Sequence, residues 1–158
     1  MTPQSSHDPL PTARQLMTSS VIRLRADLPM LEAAHTLAQE AVSGAPVVDN
    51  QGVLVGVFSE EDVMRALAAA LVYDQREGTV GEHLRGEAVT VPPDVGLVDL
   101  CALMAERRVK RLLVIEGGKM VGLIARRDLM TALARAVSAR HPHLTESTYA
   151  ALARRWGL

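Results

Sequence analysis

Val55-Gly56-Val57-Phe58-Ser59-Glu60-Glu61-Asp62 and Val121-Gly122-Leu123-Ile124-Ala125-Arg126-Arg127-Asp128 are the stretches whose reading decides the fold. In each, an apolar run with one glycine reads as a short buried strand that turns directly into a helix. Ser59 with Asp62 has the S-x-x-D form of a capping box at that helix start. A helix start carries backbone N–H groups without intrahelical partners, so it is a ready anion site.

Working outward from the first copy, Val21 to Leu24 reads as a strand and Asp27 as the cap of a helix reaching about Val42. That helix places Leu31, Ala34, Leu37, Ala38 and Ala41 at helical spacing. Pro46 to Val48 and Val53 to Phe58 form a hairpin around Asp49-Asn50-Gln51-Gly52. The helix from Glu60 carries Val63, Met64, Leu67, Ala68 and Leu71 on one face. Thr12-Ala13-Arg14-Gln15 opens a very short helix ahead of all this.

The same order returns in the second copy. Thr79-Val80-Gly81-Glu82 is a capping box, Ala88 to Val91 a strand, and Asp94 the cap of a helix with Leu97, Val98, Leu100, Cys101, Met104 and Ala105. Leu112 to Ile115 and Met120 to Ile124 form a hairpin over Glu116-Gly117-Gly118. Leu129, Met130, Leu133, Ala136 and Val137 stripe the closing helix. Asp27 and Asp94, Val42 and Val109, and Val47 and Val114 correspond at a shift of 67; Gly56 and Gly122, and Asp62 and Asp128, at 66. The single-residue change falls in the hairpin turn, where a length change is cheapest. A unit this small buries a poor core alone, so two packed as a pseudo-symmetric pair are expected.

This division gives a disordered lead-in at 1–12, a first repeat at 13–73, a linker at 74–78, a second repeat at 79–138 and a tail at 139–158. Thr145 or Ser147 caps a C-terminal helix there, with Tyr149, Leu152 and Trp156 on one side. The expected fold class is α/β (α+β): tandem β-α-β-β-α repeats packed through their sheets, plus that short helix.

Bulk properties narrow the function. With 48% apolar residues and mean hydropathy +0.12 in 158 residues, a packed core is expected. A net charge of -1 argues against a general nucleic-acid binder. One cysteine, Cys101, excludes an intrachain disulfide and a multi-cysteine metal site, and fits a cytoplasmic protein. Met1 to Pro11 has no apolar run, so neither a signal peptide nor a membrane span is expected there. No nucleophile–base set, Walker-type loop or zinc-protease motif appears, which points away from an enzyme.

The repeat resembles a pair of CBS domains, the motif named after cystathionine β-synthase. The residues that carry the resemblance are Ala45-Pro46-Val47-Val48-Asp49, Gly52, Val55-Gly56-Val57 and Ser59 to Val63, then Val89 to Asp94, Leu112 to Glu116 and Gly122 to Leu129. The resemblance implies two clefts that hold adenosine-type ligands (AMP, ADP, ATP or S-adenosylmethionine). It also implies homodimers and a regulatory role toward a partner protein, with no resident cofactor.

Through the resemblance, Asp62 and Asp128 match the aspartate that bonds ribose hydroxyls; each also fits a plain helix cap. Ser59 matches a hydroxyl that reaches phosphate, and Ala125 lacks it. Val21-Ile22 and Ala88-Val89-Thr90 match the segment that reads adenine, and Gly44-Ala45-Pro46 and Arg111-Leu112-Leu113 the opposite wall. Lys and Arg number 4 against 7 Asp and Glu from Ala13 to Leu71, but 9 against 7 from Val80 to Val137. With Arg126 and Arg127 beside Asp128, and Arg107, Arg108, Lys110 and Arg111 before a strand, the expectation is that the cleft of Asp128 takes the phosphate-bearing ligand and that of Asp62 is weaker.

Overall fold

Two hairpins of apolar, β-branched sequence seed two sheets. The computed structural model describes residues 10–85 and 88–140. The elements run α1 (Ala13–Leu16), β1 (Leu24–Arg25), α2 (Met30–Gln39), β2 (Gly44–Val48), β3 (Leu54–Ser59) and α3 (Glu60–Tyr73), then a single 3₁₀ turn (Gly81–His83), β4 (Thr90–Val91), α4 (Leu97–Glu106), β5 (Arg111–Glu116), β6 (Lys119–Ala125) and α5 (Arg126–Arg140). The sheets have order β1-β2-β3 and β4-β5-β6. In each, the first pair is parallel and the second antiparallel. The βα crossover puts the helices on one face, and each hairpin carries a register shift at the matching place, between Val47 and Val48 and between Val114 and Ile115.

Two cores fill the halves. Leu24, Met30, Ala33, Leu37, Val47 and Phe58 are in one, and Val91, Leu97, Leu100, Leu112, Val114 and Ile124 in the other. Each core also holds a residue from the far half. Ala13, the start of α1, lies in the second core, and Val80 lies in the first. Backbone bonds hold this exchange: Ala13 N–H donates to Val95 O at 2.8 Å, and Thr18 and Leu123 exchange bonds at 2.9 and 3.0 Å. In mirror fashion, Val80 N–H donates to Leu28 O at 2.9 Å and Gly81 N–H to Ala26 O at 2.8 Å. The strand glycines of the opening stretches follow from this. A Cβ on Gly122 would meet the Met17 side chain, Cβ included, at 2.9 Å or less, and one on Gly56 would meet Leu84 at 3.3 Å.

Several sequence expectations are corrected. α2 starts after Pro29, and Asp27 instead pairs with Arg25 at 2.8 Å. Gly96, not Asp94, flanks the start of α4. α2 ends at Gln39 and buries Met30, Ala33 and Leu37; of the expected stripe Leu37 is buried and Ala34 half-buried, while Leu31 and Ala38 are exposed. Met64 and Leu71 on α3 are also exposed, because that helix docks through Ala66 and Asp62. β1 and β4 are shorter and begin later than Val21 and Ala88. Residues 10–12 are not a free lead-in: Leu10 packs on the second core, and Pro11 O accepts from Leu97 N–H at 3.0 Å. The C-terminal helix with Tyr149, Leu152 and Trp156 lies outside the described residues.

Candidate functional site

β3 ends where α3 begins, and the turn is fixed by its own side chains. Asp62 Oδ2 accepts from Ser59 N–H at 2.9 Å and from Ser59 Oγ at 2.7 Å, while Asp62 N–H faces Ser59 Oγ at 3.4 Å. The reciprocal capping box is therefore complete. Asp62 is the one buried charged residue among those described. Both of its side-chain bonds fall on Oδ2, which leaves Oδ1 as an acceptor for a visitor. In the second copy only half of the box forms: Ala125 N–H donates to Asp128 Oδ2 at 2.7 Å.

A cavity of about 450 Å³ opens beside Ser59 and Asp62. That is within the roughly 300–1,000 Å³ of small-molecule sites. Its walls come from both halves: Val57, Ser59, Glu61, Asp62 and Arg65 on one side; Arg85, Ala88, Val89, Arg108 to Arg111 and Leu113 on the other. Leu84 packs against Gly56 of β3, and Ala88 and Val89 line the cavity of Asp62.

The charge placement expected from sequence is corrected accordingly. Arg108, Lys110 and Arg111 stand across from Asp62, and Arg65 and Arg85 add to them. These five cations face two carboxylates, Glu61 and Asp62, and Glu61 is paired with Arg65 at 2.7 Å. Arg126 lines an apolar hollow of about 440 Å³ between α4 and α5, with Cys101, Met104, Leu129, Met130 and Leu133, and Arg108 borders both this hollow and the Asp62 cavity. Its place at the helix start sends its guanidinium back toward Val109 O, at 3.5 Å. Arg127 is exposed.

The remaining candidates divide by strand alternation. Arg111 and Leu113 line the cavity, whereas Leu112 between them is buried in the second core. Thr90 is exposed and outside the lining. Ala45 is buried in the first core, and Pro46 is fully buried. Val21 and Ile22 are half-buried and also outside this cavity. Gly44 sits against the Arg111 guanidinium: a Cβ there would be 2.9 Å from Nη1. Burial pushes the Arg111 pKa down and the Glu60 carboxylate pushes it back up. A guanidinium remains charged under both influences.

Arg65 and Arg85 were not candidates from sequence. Arg65 lies one turn beyond Asp62 and so on the same side of α3, a signal the spacing did carry. Arg85 reaches the cavity only through the exchange, which no local pattern announces.

The arrangement can hold an anion against several guanidinium and ammonium groups while a free carboxylate oxygen accepts from hydroxyls. Among the described residues there is no cluster of His, Cys, Asp and Glu able to hold a metal ion, and no helix long and apolar enough to cross a membrane.

Comparison with known proteins agrees with this architecture. An uncharacterized protein of Methanocaldococcus jannaschii, MJ1225, is 29% identical over 120 residues, 76% of this chain; the match spans 42% of that protein's own length. The CBS domain-containing protein YhcV of Bacillus subtilis is 30% identical over 118 residues, covering 75% of this chain and 82% of YhcV. The crystal structure of CBSX2 in complex with AMP superposes with TM-score 0.69 at 24% identity, over 79% of this chain and 97% of that one. The CBS domain pair of MJ0100, in complex with 5′-methylthioadenosine and S-adenosylmethionine, gives 0.68 at 21% identity, over 80% and 98%. The sequence profile described as "CBS domain" matches residues 13–69 and again 80–135. Two β-α-β-β-α units joined through exchanged segments, matched twice by that profile, place this chain in the CBS domain family.

Proposed function

We propose that the chain is a regulatory, non-catalytic CBS-pair module that senses an adenosine-type ligand bearing phosphate (AMP, ADP or ATP) in the Asp62 cavity and modulates a partner protein. One observation carries this reading: a single cavity is lined both by a buried, capped aspartate whose two side-chain bonds fall on Oδ2 and by five cationic side chains. Asp62 Oδ1 accepts from the ribose diol, and Arg108, Lys110 and Arg111 take the phosphate. The adenosine class is supported by the AMP bound to CBSX2 and the adenosyl ligands bound to MJ0100. S-adenosylmethionine fits less well, because its sulfonium would face an excess of positive charge. Asp128, with Ala125 at its cap, serves a weaker second cleft. The ligand shifts the population between two packings of the halves through its differential affinity for them.

A panel of AMP, ADP, ATP and S-adenosylmethionine in a thermal-shift assay tests this. A phosphate-bearing ligand at a hundredfold excess over its Kd adds about 2.7 kcal/mol, which raises Tm by roughly 5–11 °C for a chain of this size. Silence from the whole panel would instead support a second reading, a dimerisation scaffold with vestigial clefts. Exposed apolar side chains on the helices, among them Leu31, Met64, Leu71, Val98 and Val137, favour pairing with a second copy as a homodimer under either reading.

A further inference from the structure

Arg111 begins β5 in the second half, yet its guanidinium ends on the first. Its Nη2 donates to Ser43 Oγ, and its Nη1 lies where a Gly44 side chain would stand. Ser43 is in turn tied to the helix start that carries Asp62, because Glu60 N–H donates to Ser43 O at 3.2 Å. The contact runs one way. At the shift of 67, Gly44 corresponds to Arg111, and having no side chain it can make no reciprocal bond. The room for Arg111 exists for the same reason: a Cβ on Gly44 would also stand 2.6 Å from Phe58 O. Arg111 thus lines the cavity while Ser43 holds one of its five N–H groups and so fixes where the guanidinium points.

We propose that Ser43 is a latch for Arg111, and that an anionic ligand entering the Asp62 cavity draws the guanidinium off Ser43, so binding opens a side-chain bond between the two halves. This rests on the reading of that cavity as a phosphate site. It makes Ser43, which is exposed and outside the cavity lining, a positioning residue whose hydroxyl opposes binding. It also gives the ligand a direct mechanical consequence. The bond that couples β5 to the α3 start exists without ligand and is exchanged for one to phosphate with it.

The sign of the Ser43→Ala effect decides the matter. With ATP as probe in calorimetry, Ser43→Ala is expected to tighten binding about three- to tenfold, since a hydrogen bond to a charged group no longer has to be broken. Arg111→Ala is expected to weaken binding tenfold or more, and Ser43→Ala added to it should change the affinity less than twofold. A hydroxyl that simply contacted the ligand would give the opposite sign, weaker binding on its removal. ATP binding that Ser43→Ala weakens or leaves unchanged overturns the latch alone. Absence of ATP binding by the unmodified chain overturns the cavity reading and the latch with it.

Discussion

Replacing Arg108 and Lys110 together by glutamate is expected to weaken ATP binding about 100-fold, the largest effect on affinity of any surface change in this chain. Both residues line the Asp62 cavity from the second half, and both are exposed. Reversing a charge a few ångströms from a phosphate, in the intermediate dielectric near a surface, costs on the order of 1.4 kcal/mol after salt screening, or tenfold in affinity. Two reversals give about 100-fold. Stability should barely move, because neither side chain is buried and surface changes stay within about ±0.5 kcal/mol. The backbone at Arg108 has a positive φ of 53°, but glutamate meets the same conformation as arginine there. The check is a calorimetric titration at two ionic strengths. The loss should be larger at low salt, and the wild-type affinity should itself fall as salt rises. An affinity unchanged by the double reversal would show that the phosphate does not sit among these residues.

Phe58→Ala is expected to be the most destabilising single substitution in the chain, at about 3–5 kcal/mol. Phe58 is the only phenylalanine, is fully buried, and sits in the first core with Met30, Leu37 and Val47. Among the described residues, the first core and the side chains packed against it hold no other ring to close over the hole. The loss corresponds to a fall in Tm of roughly 6–20 °C. Because Phe58 precedes Ser59 directly, the capping box and the cavity should loosen with it. Denaturant unfolding with an unchanged m-value would read the loss as stability. A fall of less than 1 kcal/mol would contradict the packing described.

The repeat was legible because its evidence is written twice. The strand glycine, the Ser59–Asp62 cap and the hairpin turns recur at nearly constant spacing, and each has a local physical cause. What was not legible is which half each segment serves. Ala13 and Met17 read as the start of the first unit, yet they pack on Leu97 and Gly122 of the second. Nothing local distinguishes the two, since an apolar residue fits either core. The consequence for the site was large. Arg108 and Lys110 precede a strand of the second unit and so read as bordering the cleft of Asp128, yet they line the cavity of Asp62. The helix stripes failed more mildly. On α2 and α3, alanines and leucines alternate so closely that two adjacent phases both look amphipathic, and packing against the sheet picks the one that buries Ala33 and Ala66. Of the expected wall Arg111-Leu112-Leu113, strand alternation turns Arg111 and Leu113 to the cavity and Leu112 into the second core.

The central claim is that the ligand's ribose and phosphate meet at Asp62 and not at Asp128. Calorimetric titration of ATP into Asp62→Asn and Asp128→Asn tests it most directly. Asparagine keeps the shape of the cap and removes the charge, so both variants should fold. Asp62→Asn is expected to lose tenfold or more of the affinity of the tight site, and Asp128→Asn to keep it within about twofold. Loss of the tight site in Asp128→Asn, with Asp62→Asn unaffected, would contradict it.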